Sequence, residues 1–133
     1  MTDKKSIVAV DDSAIILKTL EKLLSEKYAF HAFSKGMRAL KYLKEETPDL
    51  IILDIEMPEI DGYQMLEMIR EKPDLREVPV IFLTSNSDKE HVVKAVKNGA
   101  DDYALKPIEE ESFMDKIHRL LKEEKKKLSW DDV

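Results

Sequence analysis

The stretch VAVDDSA, Val8 to Ala14, closes a short apolar run on two adjacent aspartates. The unbroken apolar residues Ile7 to Val10 suit a strand buried on both faces, as in a parallel sheet. A strand end needs turn chemistry, and one Asp is enough for that. Two like charges side by side therefore call for another cause, supplied by whatever else the fold delivers to that place.

Similar runs recur along the chain. LIIL (Leu50–Leu53) and VPVIFL (Val78–Leu83) read as buried strands, with Pro79 near the start of the latter, where a missing donor is tolerated. AFHAF (Ala29–Phe33) and DYAL (Asp102–Leu105) are weaker candidates. Between them lie apolar stripes of helical period. Ile16, Leu20, Leu23 and Leu24 form the first, after Ser13, and Met37, Leu40 and Leu43 the second. Leu66 and Ile69 mark a third helix ending near Pro73, and Val92, Ala95 and Val96 a fourth. Ser87 and Glu90 give the fourth a capping-box spacing, and Asn98–Gly99 stops it. Phe113, Ile117, Leu120 and Leu121 define a fifth after Pro107. Strand followed by helix, five times over, predicts an α/β fold: a doubly wound parallel sheet of five strands with helices on both faces.

The chain has 133 residues, one domain's worth, with 43% hydrophobic and 38% charged residues. A net charge of -6 argues against direct binding of nucleic acid, whose phosphates select a basic face. No cysteine is present, which excludes disulfides and thiolate metal sites. No apolar run is long enough to span a bilayer, and the one after Lys4 and Lys5 is too short for a signal peptide. A cytoplasmic location is the expectation. His31, His91 and His118 are scattered without metal-ligand spacing and read as surface or strand residues. The six methionines read as core filler, with Met57 placed to meet partners.

In an open α/β sheet, ligands bind at the carboxyl ends of the strands where the strand order reverses. The first strand ends in Asp11 and Asp12, the third in Asp54, the fourth in Thr84 and Ser85, and the fifth in Lys106. In the flavodoxin-like order 2-1-3-4-5 the three carboxylates converge, with Thr84 and Lys106 facing them. Three carboxylates in one place repel unless cations compensate. Lys106 supplies one positive charge. Few carboxylates with room for water and phosphate oxygens favour Mg²⁺ for the rest. Metal, lysine and hydroxyl around one carboxylate suit phosphoryl transfer.

DDS after the first strand, LDIEMPEIDG after the third, LTSN after the fourth and DDYALKP at the fifth together resemble the receiver domain of two-component response regulators, CheY-like, over roughly Ile7 to Leu121. The resemblance implies that Asp54 is the phosphoacceptor, and that Asp11 and Asp12, with the backbone carbonyl of Glu56, hold Mg²⁺ beside it. It gives Thr84 the contact to the phosphoryl group, Lys106 the pairing with it, and Tyr103 the part of the switch aromatic that follows Thr84. Pro58 and Gly62 shape the loop after Asp54. Pro107 holds the turn after Lys106, with a cis peptide bond as one way of doing so. The side chain of Glu56 stands at a position that tunes phosphoryl lifetime. The implied partners are a histidine kinase or phosphotransfer protein and an output protein or domain, reached through the face made by the fourth helix, fifth strand and fifth helix. The domain would catalyse only its own phosphorylation and dephosphorylation.

Three other readings compete. A Mg²⁺-dependent aspartyl phosphatase of the haloacid-dehalogenase type would use Glu56 as acid/base, but the chain has no cap insertion and the acid pair stays unexplained. A flavodoxin relative would need a phosphate loop where DDSA would repel phosphate. A degenerate receiver would lack part of the acid, Thr and Lys set. As plain structure, Asp11 and Asp12 could simply cap a helix. Residues 1–122 are assigned to the receiver and 123–133 to a charged tail, read as a solvated helix end or the start of a helical linker. A single-domain protein is the favoured expectation, the N-terminal part of a longer regulator the alternative.

Overall fold

The computed structural model describes residues 4–85 and 89–123. Five parallel strands, β1 (Ser6–Val10), β2 (Ala29–Phe33), β3 (Leu50–Asp54), β4 (Val80–Thr84) and β5 (Asp102–Leu105), form one sheet of order β2-β1-β3-β4-β5. The helices are α1 (Ala14–Leu24), α2 (Gly36–Leu43), α3 (Gly62–Glu71), α4 (Lys89–Lys97) and α5 (Glu110–Leu120), with a short 3-10 turn at Pro73–Leu75. Fold class, strand order and alternation are those the sequence predicts.

Side chains alternate across a strand, so each strand feeds two cores. Val8, Val10, Ile51, Leu53, Val80 and Phe82 pack on one face against Ala39 and Leu43 of α2, Met65, Leu66 and Ile69 of α3, and Ala95 of α4. Ile7, Ala9, Leu50, Ile52, Ile81 and Leu83 pack on the other against Leu20 and Leu24 of α1 and Phe113 and Ile117 of α5. β3 and β4 are buried at every position, as their unbroken apolar runs require, whereas the edge strand β2 is only partly covered.

Several local expectations shift. β4 starts at Val80, not Val78, and includes Thr84; Pro79 precedes it and offers its carbonyl to Ile51 N–H at 3.0 Å. Met37 is 55% exposed, because α2 turns Gly36, Ala39 and Leu43 inward instead. Met68 is exposed too, so among the described methionines Met65 alone is fully buried. Ser87, expected to cap α4, lies outside the described residues, as do the side chains of His91, Val92 and Val96 and everything after Glu123.

α5 does not run on through Glu123. Lys122 adopts φ 56°, its N–H bonds Arg119 O, and Glu123 N–H bonds His118 O, the paired bonds of a Schellman stop. Glu123 then accepts from the Tyr28 hydroxyl and lies 3.7 Å from Lys5 Nζ. Burial first, then that clasp, raises the Tyr28 phenol above its usual range.

The loop after β3 depends on Gly62. Asp61 caps α3 by accepting from Gln64 N–H at 2.8 Å, while Gln64 accepts from Asp61 N–H. That presses Gly62 onto the end of β3, where an added Cβ would lie 2.6 Å from Asp54 O and 2.9 Å from Ile55 Cα. At Gly36 a Cβ would meet only side-chain atoms, Ile60 Cγ2 at 2.7 Å and Met65 Sδ at 2.9 Å. Backbone cannot yield as flexible side-chain ends can. Gly62→Ala should therefore cost about 1–3 kcal/mol in urea unfolding, and Gly36→Ala distinctly less. Equal losses would contradict this packing.

Candidate phosphoacceptor and metal site

The carboxyl ends of β1, β3, β4 and β5 converge on one acidic pocket. Asp11 is fully buried, Asp54 is 3% exposed and Thr84 2%, while Asp12 is exposed at the rim. One oxygen each from Asp11, Asp12 and Asp54 lie within 4.8 Å of one another. Lys106 reaches in from the end of β5, its Nζ 2.7 Å from Asp11 Oδ2 and 3.1 Å from Asp54 Oδ1. Its backbone N–H bonds Thr84 O at 2.9 Å, which ties the lysine to the strand carrying the hydroxyl. The Lys106–Pro107 peptide bond is cis.

The local roles of the acid pair separate cleanly. Ser13, not an aspartate, caps α1, accepting from Ile16 N–H at 3.3 Å. Asp11 Oδ1 accepts from Ser13 N–H at 2.9 Å. Asp11 Oδ2 has no partner beyond the Lys106 ammonium 2.7 Å away, which leaves part of its lone-pair capacity open. A buried carboxylate oxygen with open lone pairs, beside two further carboxylates, fits a hard divalent cation. Asp54 Oδ1 also accepts from Glu56 N–H at 3.3 Å, and the Glu56 side chain is exposed.

Charge in this pocket is unbalanced. Burial first, then the neighbouring Asp11 charge, pushes the Asp54 carboxyl up from 3.8 to about 7, against the opposing pull of Lys106. Burial disfavours the Lys106 charge, but Asp11 and Asp54 outweigh it and hold the ammonium above its usual range.

Tyr103 is half-buried and packs with the core on the α2–α4 side of the sheet, in register with Phe82. Thr84 continues the alternation of Val80 and Phe82 toward that same side. Asp54 continues that of Leu50 and Ile52 toward the α1–α5 side. Spacing along the chain gave no signal for Lys116. It arrives from α5, donates to Tyr103 O, and sits 4.7 Å from the centroid of the Tyr103 ring.

The sequence matches the response regulator receiver domain family over residues 7–118, and the chain belongs to that family. It is a signalling domain, of the kind that works with histidine kinases and output domains. The chain is 41% identical over 105 residues to the two-component response regulator ARR12 of Arabidopsis thaliana, covering 77% of this chain and 17% of that protein. Its fold matches the signal receiver domain of a signal transduction histidine kinase from Syntrophus aciditrophicus, with TM-score 0.81 and 37% identity over 92% of this chain and 94% of that one. It also matches the receiver domain of the sensor histidine kinase PA1611 from Pseudomonas aeruginosa, solved with a magnesium ion coordinated in its active-site cleft. That match has TM-score 0.82 and 25% identity over 90% of this chain and 98% of that one. The chain spans only 15–49% of the length of the curated relatives compared. The family leaves the haloacid-dehalogenase reading without support. No described helix is long and apolar enough to cross a membrane.

The raised Asp54 carboxyl has a consequence for stability. The folded state keeps this proton to higher pH than the unfolded state, so stability falls as pH rises from about 4 to about 7, and the penalty is complete above that. At about 1.4 kcal/mol per decade of proton affinity, the ceiling is about 4 kcal/mol. Urea unfolding in metal-free buffer should show wild type losing stability between about pH 4 and about pH 7 relative to Asp54→Asn, with no further loss above that. Parallel pH profiles would contradict it.

Proposed function

We propose that the domain receives a phosphoryl group on Asp54 from a phosphohistidine of a partner histidine kinase or phosphotransfer protein. The observation that carries this reading is Lys106 Nζ lying between Asp11 Oδ2 and Asp54 Oδ1, at 2.7 and 3.1 Å, where four strand ends meet. Oδ1 of Asp54 is engaged by Lys106 and the Glu56 N–H, which supports Oδ2 as the oxygen that takes the phosphoryl group in this reading. A P–O bond forms there as the P–N bond of the donor breaks, and the imidazole nitrogen keeps the bonding pair. Lys106 and the Thr84 hydroxyl meet the phosphoryl oxygens and hold them in line with the attacking carboxylate.

Asp11, Asp12, Asp54 and the backbone carbonyl of Glu56 are the residues that would hold Mg²⁺. When bound, it supplies positive charge to the phosphoryl oxygens. The open oxygen of Asp11 and the magnesium of the PA1611 domain support that assignment. Pro58, Gly62 and Pro107 act by shaping the loops around the site. The domain turns over no external substrate; it catalyses only its own phosphorylation and dephosphorylation.

Thr84 and Tyr103 carry the signal outward. Movement of Thr84 toward the phosphoryl group opens space on the α2–α4 side, into which Tyr103 turns. The face formed by α4, β5 and α5 is thereby re-formed for an output partner, in another protein or joined to this domain. The net charge of -6 favours a protein partner for this domain over nucleic acid, and the cytoplasm is its proposed location.

Incubation with acetyl phosphate, read by intact mass, tests the reading. One phosphoryl adduct should form in wild type with Mg²⁺, and none without the metal or in Asp54→Asn. A metal-independent adduct, or one that survives Asp54→Asn, would overturn it. Glu56 puts an exposed carboxylate two residues after Asp54, and its charge should alter access of attacking water, so Glu56→Gln should decay at a different rate from wild type while still being phosphorylated. Identical decay would remove Glu56 from any part in phosphoryl lifetime.

A further inference from the structure

We propose that Lys116 is the positioning residue that holds the Tyr103 ring in its present place and so sets how readily the domain switches; this rests on the reading of Tyr103 as the switch aromatic. β5 is an edge strand, so its outward carbonyls have no neighbouring strand to bond. Lys116, the seventh residue of α5, reaches over that edge. Its Nζ donates to Tyr103 O, lies 3.5 Å from Asp102 Oδ1, and sits 4.7 Å from the Tyr103 ring centroid. Asp102 is itself held, accepting from Tyr103 N–H at 2.7 Å and pairing with Arg119.

These contacts differ in what they do to a two-state equilibrium. The carbonyl and carboxylate contacts belong to backbone and neighbouring groups that stay put when a ring rotates about its own side-chain bonds. They fix the lysine without favouring either ring position. The ring contact exists only while Tyr103 stays where it is. Only a contact made unequally in the two states can bias them, so the cation over the ring stabilises the resting arrangement alone. An exposed cation–π contact corresponds to a factor of about two to five in that equilibrium. Linkage passes the same factor to whatever binds at Asp54 and favours the switched state.

Mg²⁺ with beryllofluoride, which mimics a phosphoryl group on a carboxylate, is the probe. Its apparent dissociation constant is measured by titration for wild type, Lys116→Met, Lys116→Arg, Tyr103→Leu and the double variant Lys116→Met/Tyr103→Leu, with thermal melts as the check on folding. Lys116→Met keeps the aliphatic stem and loses the charge. It should bind the probe about two- to fivefold more tightly than wild type, while Lys116→Arg stays near wild type. In the Tyr103→Leu background the same lysine substitution should have no effect. Unchanged or weaker binding by Lys116→Met overturns the proposal. So does tightening that persists without the tyrosine ring, since the lysine would then act through something else. Failure of wild type to bind the probe, or binding retained in Asp54→Asn, instead overturns the assignment of Asp54 itself.

Discussion

A single lysine ammonium set between two buried carboxylates governs this structure. Asp11 and Asp54 lie almost wholly out of water, and Lys106 stands within 3.1 Å of both. One cation cannot neutralise two buried anions with a third at the rim, and burial first, then the Asp11 charge, raises the proton affinity of Asp54. A fold selected only for stability would put apolar side chains here. Retaining the charges leaves a pocket whose stability and affinity for cations are linked. Whatever brings positive charge to it stabilises the native domain.

The sheet divides the labour of the site between its two faces. Asp54 follows the alternation that leads to the α1–α5 side, whereas Thr84 and Tyr103 follow the one that leads to α2, α3 and α4. The carboxylate and the two residues proposed to carry its signal therefore occupy opposite faces of the same few strand ends. Thr84 joins them: its carbonyl accepts from Lys106 N–H, while its side chain belongs to the face of Tyr103. Gly62 supplies the remaining constraint, since only a residue without Cβ lets α3 start against the backbone of Asp54.

Much of this was legible in the sequence because burial on both faces leaves unbroken apolar runs. Ile7–Val10 and Leu50–Leu53 announced central strands, and a charged residue stood where each run stopped. Strand order then followed from the motifs at those ends, and Asp11, Asp12, Asp54, Thr84 and Lys106 do meet around one pocket. What escaped depended on contacts with no period. Met37 sits on the helical stripe of Leu40 and Leu43, yet α2 is rotated so that Gly36 packs against Ile60 and Met65 and leaves Met37 in water. The charged run at the end of α5 reads as continuing helix, but Lys122 takes a left-handed conformation and Glu123 turns back to Tyr28, 95 residues away. Lys116 carries no signal in the sequence, since only the edge of β5 brings it over Tyr103.

The identity of the nucleophile is the claim on which everything else rests, and its chemistry can be trapped directly. Borohydride reduces an acyl phosphate on aspartate to homoserine and leaves free carboxylates unchanged. After phosphorylation with Mg²⁺ and reduction, tandem mass spectrometry of the peptides should find homoserine in place of Asp54 and nowhere else. Homoserine at Asp11, at Asp12 or at any other acidic residue, or its absence from a phosphorylated sample, would contradict the assignment.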